Sequence, residues 1–164
     1  MKRIHIIRHA KSDWAESGLK DIDRPLNERG QRNAPEMALR LASRGARADF
    51  ILCSPARRTR DTMAFFLQEF NVPTERIRFE PRIYEAPWRN LVVALQDYPN
   101  DSNEAFFIGH NYGVSQLIEY LTEENLPMPT CAIATIDLYV DEWSHITANC
   151  GKLVYYDYPK KEIE

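Results

Sequence analysis

Apolar residues recur along this chain with two periods. Short β-branched or aromatic runs alternate with longer stretches in which apolar residues return every three or four positions. The first run, Arg3-Ile4-His5-Ile6-Ile7-Arg8, reads as a strand that delivers Arg8-His9 at its carboxyl end. Asp49-Phe50-Ile51-Leu52-Cys53 and Glu104-Ala105-Phe106-Phe107-Ile108-Gly109 read as buried strands, and Arg76 to Phe79 as a short, weak one. Helical spacing joins Ala34, Met37, Ala38, Leu41 and Ala42, with Asn27 as N-cap and Gly45 as the stop. It returns in Met63, Phe66, Leu67 and Phe70 behind Ser54-Pro55, which predicts Ser54 at the N-cap and Pro55 at the first helical position. Trp88, Leu91, Val92 and Leu95 mark a third helix; Val114, Leu117, Ile118 and Leu121 mark a fourth, with Asn111 as its cap. After Pro127 and Pro129 the pattern changes. Ala132 to Val140, Trp143 to Ala148 and Lys152 to Tyr156 read as three strands of a meander, and the tail from Pro159 to Glu164 is expected to fray.

Strands alternating with helices predict an α/β fold: a three-layer α/β/α sandwich with a mainly parallel central sheet and an antiparallel C-terminal edge. No repeat, linker or low-complexity segment interrupts the 164 residues, so a single domain, 1–164, is expected. The polar segment from Asp13 to Arg24 reads as a loop of a length that is often functional.

A formal net charge of −3 argues against general nucleic-acid binding, so positive charge for any anion must be concentrated locally. No apolar run is long enough to span a membrane, and the amino terminus lacks a signal-peptide pattern. Three cysteines without a CxxC pair favour reduced thiols in a cytoplasmic protein, and Cys53, Cys131 and Cys150 are expected to be buried without a catalytic role.

Open α/β sheets bind ligands beyond the carboxyl ends of their strands. Three such ends carry chemistry here. One presents Arg8-His9; another presents Ser54, followed by Arg57, Arg58, Thr59, Arg60 and Thr62; a third presents His110. Each alone is open to a bland reading: a solvated strand end, an exposed helix face, a turn. Their common edge points instead to a pocket for an anion, with forked guanidinium groups, two imidazoles and a helix amino terminus. His5 alternates with apolar neighbours and reads as a packed core histidine, and His145 lies far from the motifs. A metal site made of His5, His9 and His110 is the minor alternative. Trp14, Trp88 and the tyrosines could line a substrate mouth, although such residues more often pack.

In its motifs and their order the chain closely resembles the histidine phosphatase superfamily, of phosphoglycerate mutase-like fold, and within it the small SixA-type phosphohistidine phosphatases. The resemblance rests on Arg8-His9-Ala10-Lys11-Ser12, Arg24-Pro25-Leu26-Asn27-Glu28-Arg29-Gly30, Ser54-Pro55 with Arg58 and Thr62, Ile83-Tyr84-Glu85-Ala86, and Gly109-His110-Asn111. It implies that His9 is the nucleophile that becomes phosphohistidine, with Arg8, Arg58 and His110 around the phosphoryl oxygens and Lys11 and Ser12 also binding the phosphate. It selects Arg58 over Arg57, which should face elsewhere on the helix.

Metal-free catalysis follows if cationic side chains neutralise the phosphoryl group, so neither metal nor other cofactor is expected. His9 must be neutral, and the surrounding cations favour that. Lys11 stands where many relatives carry Glu, which leaves Glu85 as the candidate acid, with Asp21 and Asp23 behind it. A metal-independent phosphatase follows, and phosphohistidine on a protein partner is the expected substrate. A small phosphate ester is the alternative; mutase action is disfavoured because no large insertion could serve as a lid. A phosphate-binding regulatory module with little turnover is the reading from outside the enzymes. Neither nucleic acid nor membrane is an expected partner, and oligomeric state stays open.

Overall fold

Strand β1 (Lys2–Arg8) lies inside a six-stranded sheet in the computed structural model, which describes residues 1–13 and 18–160. Helix α1 (Glu28–Ser43), β2 (Ile51–Cys53), α2 (Arg57–Phe66), β3 (Ile77–Phe79), α3 (Trp88–Gln96), β4 (Glu104–Gly109), α4 (Gly113–Thr122), β5 (Ile133–Leu138) and β6 (Gly151–Asp157) follow. The strand order is β3-β2-β4-β1-β5-β6. The first four of these run parallel, and β5 and β6 join antiparallel at the β1 side. The α/β/α sandwich and its antiparallel C-terminal edge are as expected from the pattern.

Alternation along each strand divides the apolar residues between two layers. Ile4 and Ile6 pack with Leu91, Leu95, Leu117 and Leu121 of α3 and α4. Ile7 packs on the other face with Met37, Leu41 and Phe66 of α1 and α2. His5, on that second face, is a core histidine: its ring nitrogens lie 2.7 Å from Thr135 Oγ1 and 2.7 Å from Glu104 Oε2. No described helix is long and apolar enough to cross a membrane.

Four local expectations need correction. The segment Trp143 to Ala148 is not a strand: Trp143–His145 form a 3₁₀ turn, pinned because the buried Trp143 indole donates to the Ser102 carbonyl at 2.8 Å. Helix α2 starts later than Ser54. Its N-cap is Ala56, because Ser54 Oγ is engaged elsewhere, accepting from the Ala56 amide at 3.3 Å and lying 2.8 Å from His110 Nε2. The N-cap of α4 is Tyr112, although Asn111 Oδ1 still accepts from the Ser115 amide at 3.1 Å. Cys150 is only partly buried, unlike the free thiols of Cys53 and Cys131. The expectations for Trp14 and for the end of the C-terminal tail fall outside the described residues.

Asn27 caps α1 as its sequence predicts, accepting from the Gly30 amide at 2.9 Å. The same turn presses on the loop after β1: Asn27 donates its amide to the Lys11 carbonyl at 3.0 Å, and a Cβ at Gly30 would stand 2.2 Å from that carbonyl oxygen. Gly30→Ala therefore sets a helix-propensity gain of about 1 kcal/mol against an overpacking cost of about 1–3 kcal/mol. The contact is with backbone, which has little room to yield, so the cost should win. Urea unfolding should show Gly30→Ala less stable than wild type by about 1 kcal/mol or more.

Candidate active site

The register of β1 on β4 sets Arg8 opposite Gly109, so the next residue of each strand, His9 and His110, leaves the sheet side by side. Their ring centroids are 5.3 Å apart. The backbone of His9 is clamped: its amide donates to Gly109 O at 3.1 Å, and its carbonyl accepts from the Cys131 amide at 3.0 Å. Thr62 of α2 accepts from the Ala10 amide at 2.9 Å and donates to the Arg58 carbonyl at 2.7 Å, tying the two motifs together.

His9 is buried, and its Nδ1 donates to the carbonyl of its own neighbour, Ala10, at 2.7 Å. That fixes the tautomer and leaves Nε2 with its lone pair. The pKa of His9 is lowered to about 3, first by burial and then by Arg58, Arg8 and Arg24, while the hydrogen bond to Ala10 acts the other way. The sequence argument named the cations, but desolvation comes first. His110 is also buried and also falls to about 3, chiefly by desolvation, then through His9 and Arg58. Its Nδ1 is 3.4 Å from Arg58 Nη2, a donor, and 3.4 Å from Glu85 Oε1, an acceptor, and its Nε2 lies 2.8 Å from Ser54 Oγ.

Arg58 is fully buried at the head of α2. Its guanidinium donates to Asp21 O at 2.8 Å, to Asp21 Oδ2 at 3.1 Å and to Glu85 Oε1 at 2.6 Å. Arg8 donates to the Met128 carbonyl at 2.9 Å. The Nε groups of Arg8 and Arg58 are buried and lack a hydrogen-bond acceptor. Two unpaired cationic donors beside two imidazoles form a site suited to an anion that can accept from several directions.

Of the other expected residues, Glu85 reaches the group: its carboxylate is on Arg58 and 3.4 Å from His110 Nδ1, and is about half exposed. Ser12 lies one step away, its Oγ accepting from Arg24 Nη1 at 2.8 Å. Lys11 is exposed and meets the site's surroundings through its carbonyl. Arg57 faces out, 3.6 Å from Asp61. Asp23 is exposed, away from these contacts.

Sequence reading missed the network behind these groups. Burial opposes ionisation of Asp21, but the Tyr84 hydroxyl, Arg58 and Arg24 overcome it and hold the carboxyl at about 2. Asp21 is thus a fixed anion and a poor proton donor. The available signal was its place three residues before the buried Arg24, whose Nε it binds at 3.0 Å. The Met128 carbonyl carried no signal at all.

The sequence model of the histidine phosphatase superfamily (branch 1) matches residues 4–92, more than half of the chain. The chain belongs to the histidine phosphatase superfamily. His110 lies beyond the matched residues but within the span covered by structural likeness. The protein histidine phosphatase SixA, solved with tungstate, superposes with a TM-score of 0.83 at 22% identity, covering 99% of both chains. SixA from Agrobacterium tumefaciens gives 0.81 at 25% identity over 96% of this chain and 98% of its own. An uncharacterized chloroplastic protein of Arabidopsis thaliana is 28% identical, covering 92% of this chain and 72% of that one. An uncharacterized protein of Mycobacterium tuberculosis is 27% identical over 94% of this chain and 100% of its own.

The buried histidines give the site a pH signature. Below about 6.5, the ordinary imidazole value, unfolded chains take up protons that folded His9 and His110 refuse until pH falls to about 3. Stability should therefore drop as pH is lowered from 7 to 5, a window above the titration of Asp21. Urea unfolding at both pH values should show a smaller drop in His9→Gln, by on the order of 1–2 kcal/mol.

Proposed function

We propose that this superfamily member is a phosphatase that works through phosphohistidine on His9 and takes its phosphoryl group from phosphohistidine on a protein. The observation that carries the reading is the His9 ring. One nitrogen is tied to Ala10, the other keeps its lone pair, and the two arginines beside it have unpaired Nε donors. The tungstate complex of SixA supports it, since that ion is a tetrahedral oxyanion.

Nε2 attacks phosphorus and forms the P–N bond while the bond to the substrate nitrogen breaks. That nitrogen leaves as an imidazole that has already taken up a proton. Water then attacks the phosphohistidine, the bond to Nε2 breaks, and phosphate departs with the water's oxygen. Arg8 and Arg58 stabilise charge on the equatorial oxygens. The dianionic group raises the proton affinity of His110, which can then share a proton with it.

Phosphate release from a phosphohistidine protein, without added metal, should fall by about a thousandfold or more in His9→Ala. Wild type caught in mid-reaction should carry acid-labile, alkali-stable phosphate. Near-normal turnover by the variant, or a phosphoenzyme on another residue, would refute the assignment.

A small phosphate ester is the second reading, favoured by one observation: the Glu85 carboxylate stands beside Arg58 and His110, where an acid could reach a leaving alkoxide. An alkoxide needs that proton far more than an imidazole does. Glu85→Gln should slow an alkyl phosphate by about tenfold or more and phosphohistidine by much less. Equal slowing in side-by-side assays would remove Glu85 as the acid.

A further inference from the structure

Strand β2 sets a further group against the second histidine. Cys53 of β2 lies opposite Ile108 of β4, and the next backbone step is tied as well: the Ser54 amide donates to the Ile108 carbonyl at 3.1 Å. Ser54 therefore leaves the sheet beside His110, on the side away from His9. Its carbonyl accepts from Thr59 Oγ1 at 2.8 Å, which pins the backbone there. Both residues are closed to solvent: Ser54 is fully buried and His110 is 4% exposed.

The two ends of the His110 ring have different neighbours. A neutral imidazole offers one N–H and one lone pair, and with its pKa lowered to about 3 the His110 ring is neutral. At the Nε2 end stands Ser54 Oγ, 2.8 Å away. That oxygen already accepts from the Ala56 amide at 3.3 Å. Its own proton needs an acceptor, and His110 Nε2 is the only one it meets among the described residues. A buried donor left unpaired carries its full desolvation penalty.

At the other end, Nδ1 lies 3.4 Å from Arg58 Nη2 and 3.4 Å from Glu85 Oε1. Nη2 has two hydrogens, and both are spent: one on Asp21 Oδ2 at 3.1 Å, the other on Glu85 Oε1 at 2.6 Å. It has none to give Nδ1, whereas the carboxylate oxygen can only accept. Both ends agree on Nε2 with the lone pair and Nδ1 with the proton. The Glu85 oxygen also marks a place: Arg58 Nη2 and His110 Nδ1 converge on it. A phosphoryl oxygen arriving there meets the same two donors.

We propose that Ser54 is a positioning residue: its hydroxyl donates to His110 Nε2 and holds the imidazole with Nδ1–H facing the phosphoryl oxygens. The role rests on the phosphatase reading above. It makes the two histidines complementary. The Ala10 carbonyl leaves His9 a lone pair for attack, and the Ser54 hydroxyl leaves His110 an N–H for the charge that attack moves onto oxygen.

The test reads the ring directly. Long-range proton–nitrogen NMR spectra of the whole chain, with nitrogen-labelled histidine, show which nitrogen of each ring is protonated; His110→Gln assigns the signals by their loss. Wild-type His110 should carry its proton on Nδ1. Ser54→Ala should shift the Nε2 resonance, which loses its donor, and lower kcat for an aryl phosphate by about tenfold or more, with KM changed by less than about threefold. Ser54→Thr keeps the hydroxyl and should restore both; where its added methyl unfolds the chain, the wild-type spectrum decides alone. A proton on Nε2 in wild type, or a Ser54→Ala chain whose Nε2 resonance or kcat is unmoved, overturns the role of Ser54 and leaves phosphohistidine at His9 standing. The expected spectrum in a chain that forms no phosphohistidine at His9 overturns the phosphatase reading and the role with it.

Discussion

Burying the guanidinium of Arg58 is the constraint around which the active end of the molecule is arranged. A charge with no solvent contact is several kcal/mol unfavourable unless partners surround it. Its partners come from three places: Asp21 in the long loop, Glu85 before α3, and His110 just past β4. Each must arrive for the charge to be tolerated, so three separate chain segments are held to one point. The satisfaction is incomplete, since Nε is left over on both Arg58 and Arg8. Those two donors are the part of the hydrogen bonding that the described residues leave unmet.

The same arrangement explains why both histidines are neutral. Water is excluded by the packing that buries Arg58, and the cations then add to a penalty that desolvation has already imposed. Asp21 behaves oppositely because donors from three residues converge on its carboxylate. Groups within a few ångströms of each other are thus all unprotonated near neutral pH, the imidazoles as neutral rings and Asp21 as an anion.

Much of this was legible before any coordinates. Ile4, Ile6 and Ile7 announce β1 because alternating and continuous burial both leave their mark on residue type. Apolar spacing announces the inner faces of the four helices, because packing acts on every turn. Asn27 was readable as a cap because its side chain acts locally. The misreadings share a cause: long-range contacts that leave no period. Trp143 looks like a strand residue but is drawn into a turn by a carbonyl about forty positions away. Ser54 looks like a cap, yet its hydroxyl is engaged by the Ala56 amide and by His110. Arg8, His9, Arg58 and His110 could be placed on one edge from topology alone. The carbonyl of Met128 on Arg8 could not, because a backbone acceptor has no residue signature.

One bond has a wider consequence. The group that sets the tautomer of His9 is the carbonyl of the adjacent residue, not a side chain brought from elsewhere in the fold. The His9 ring therefore has its tautomer set within a dipeptide. The loops that rim it can change length and composition without altering that hydrogen bond, provided Asp21 and Glu85 stay on Arg58. A scaffold built this way is modular: the rim can diversify, by natural drift or by laboratory loop exchange, around an imidazole whose tautomer stays the same.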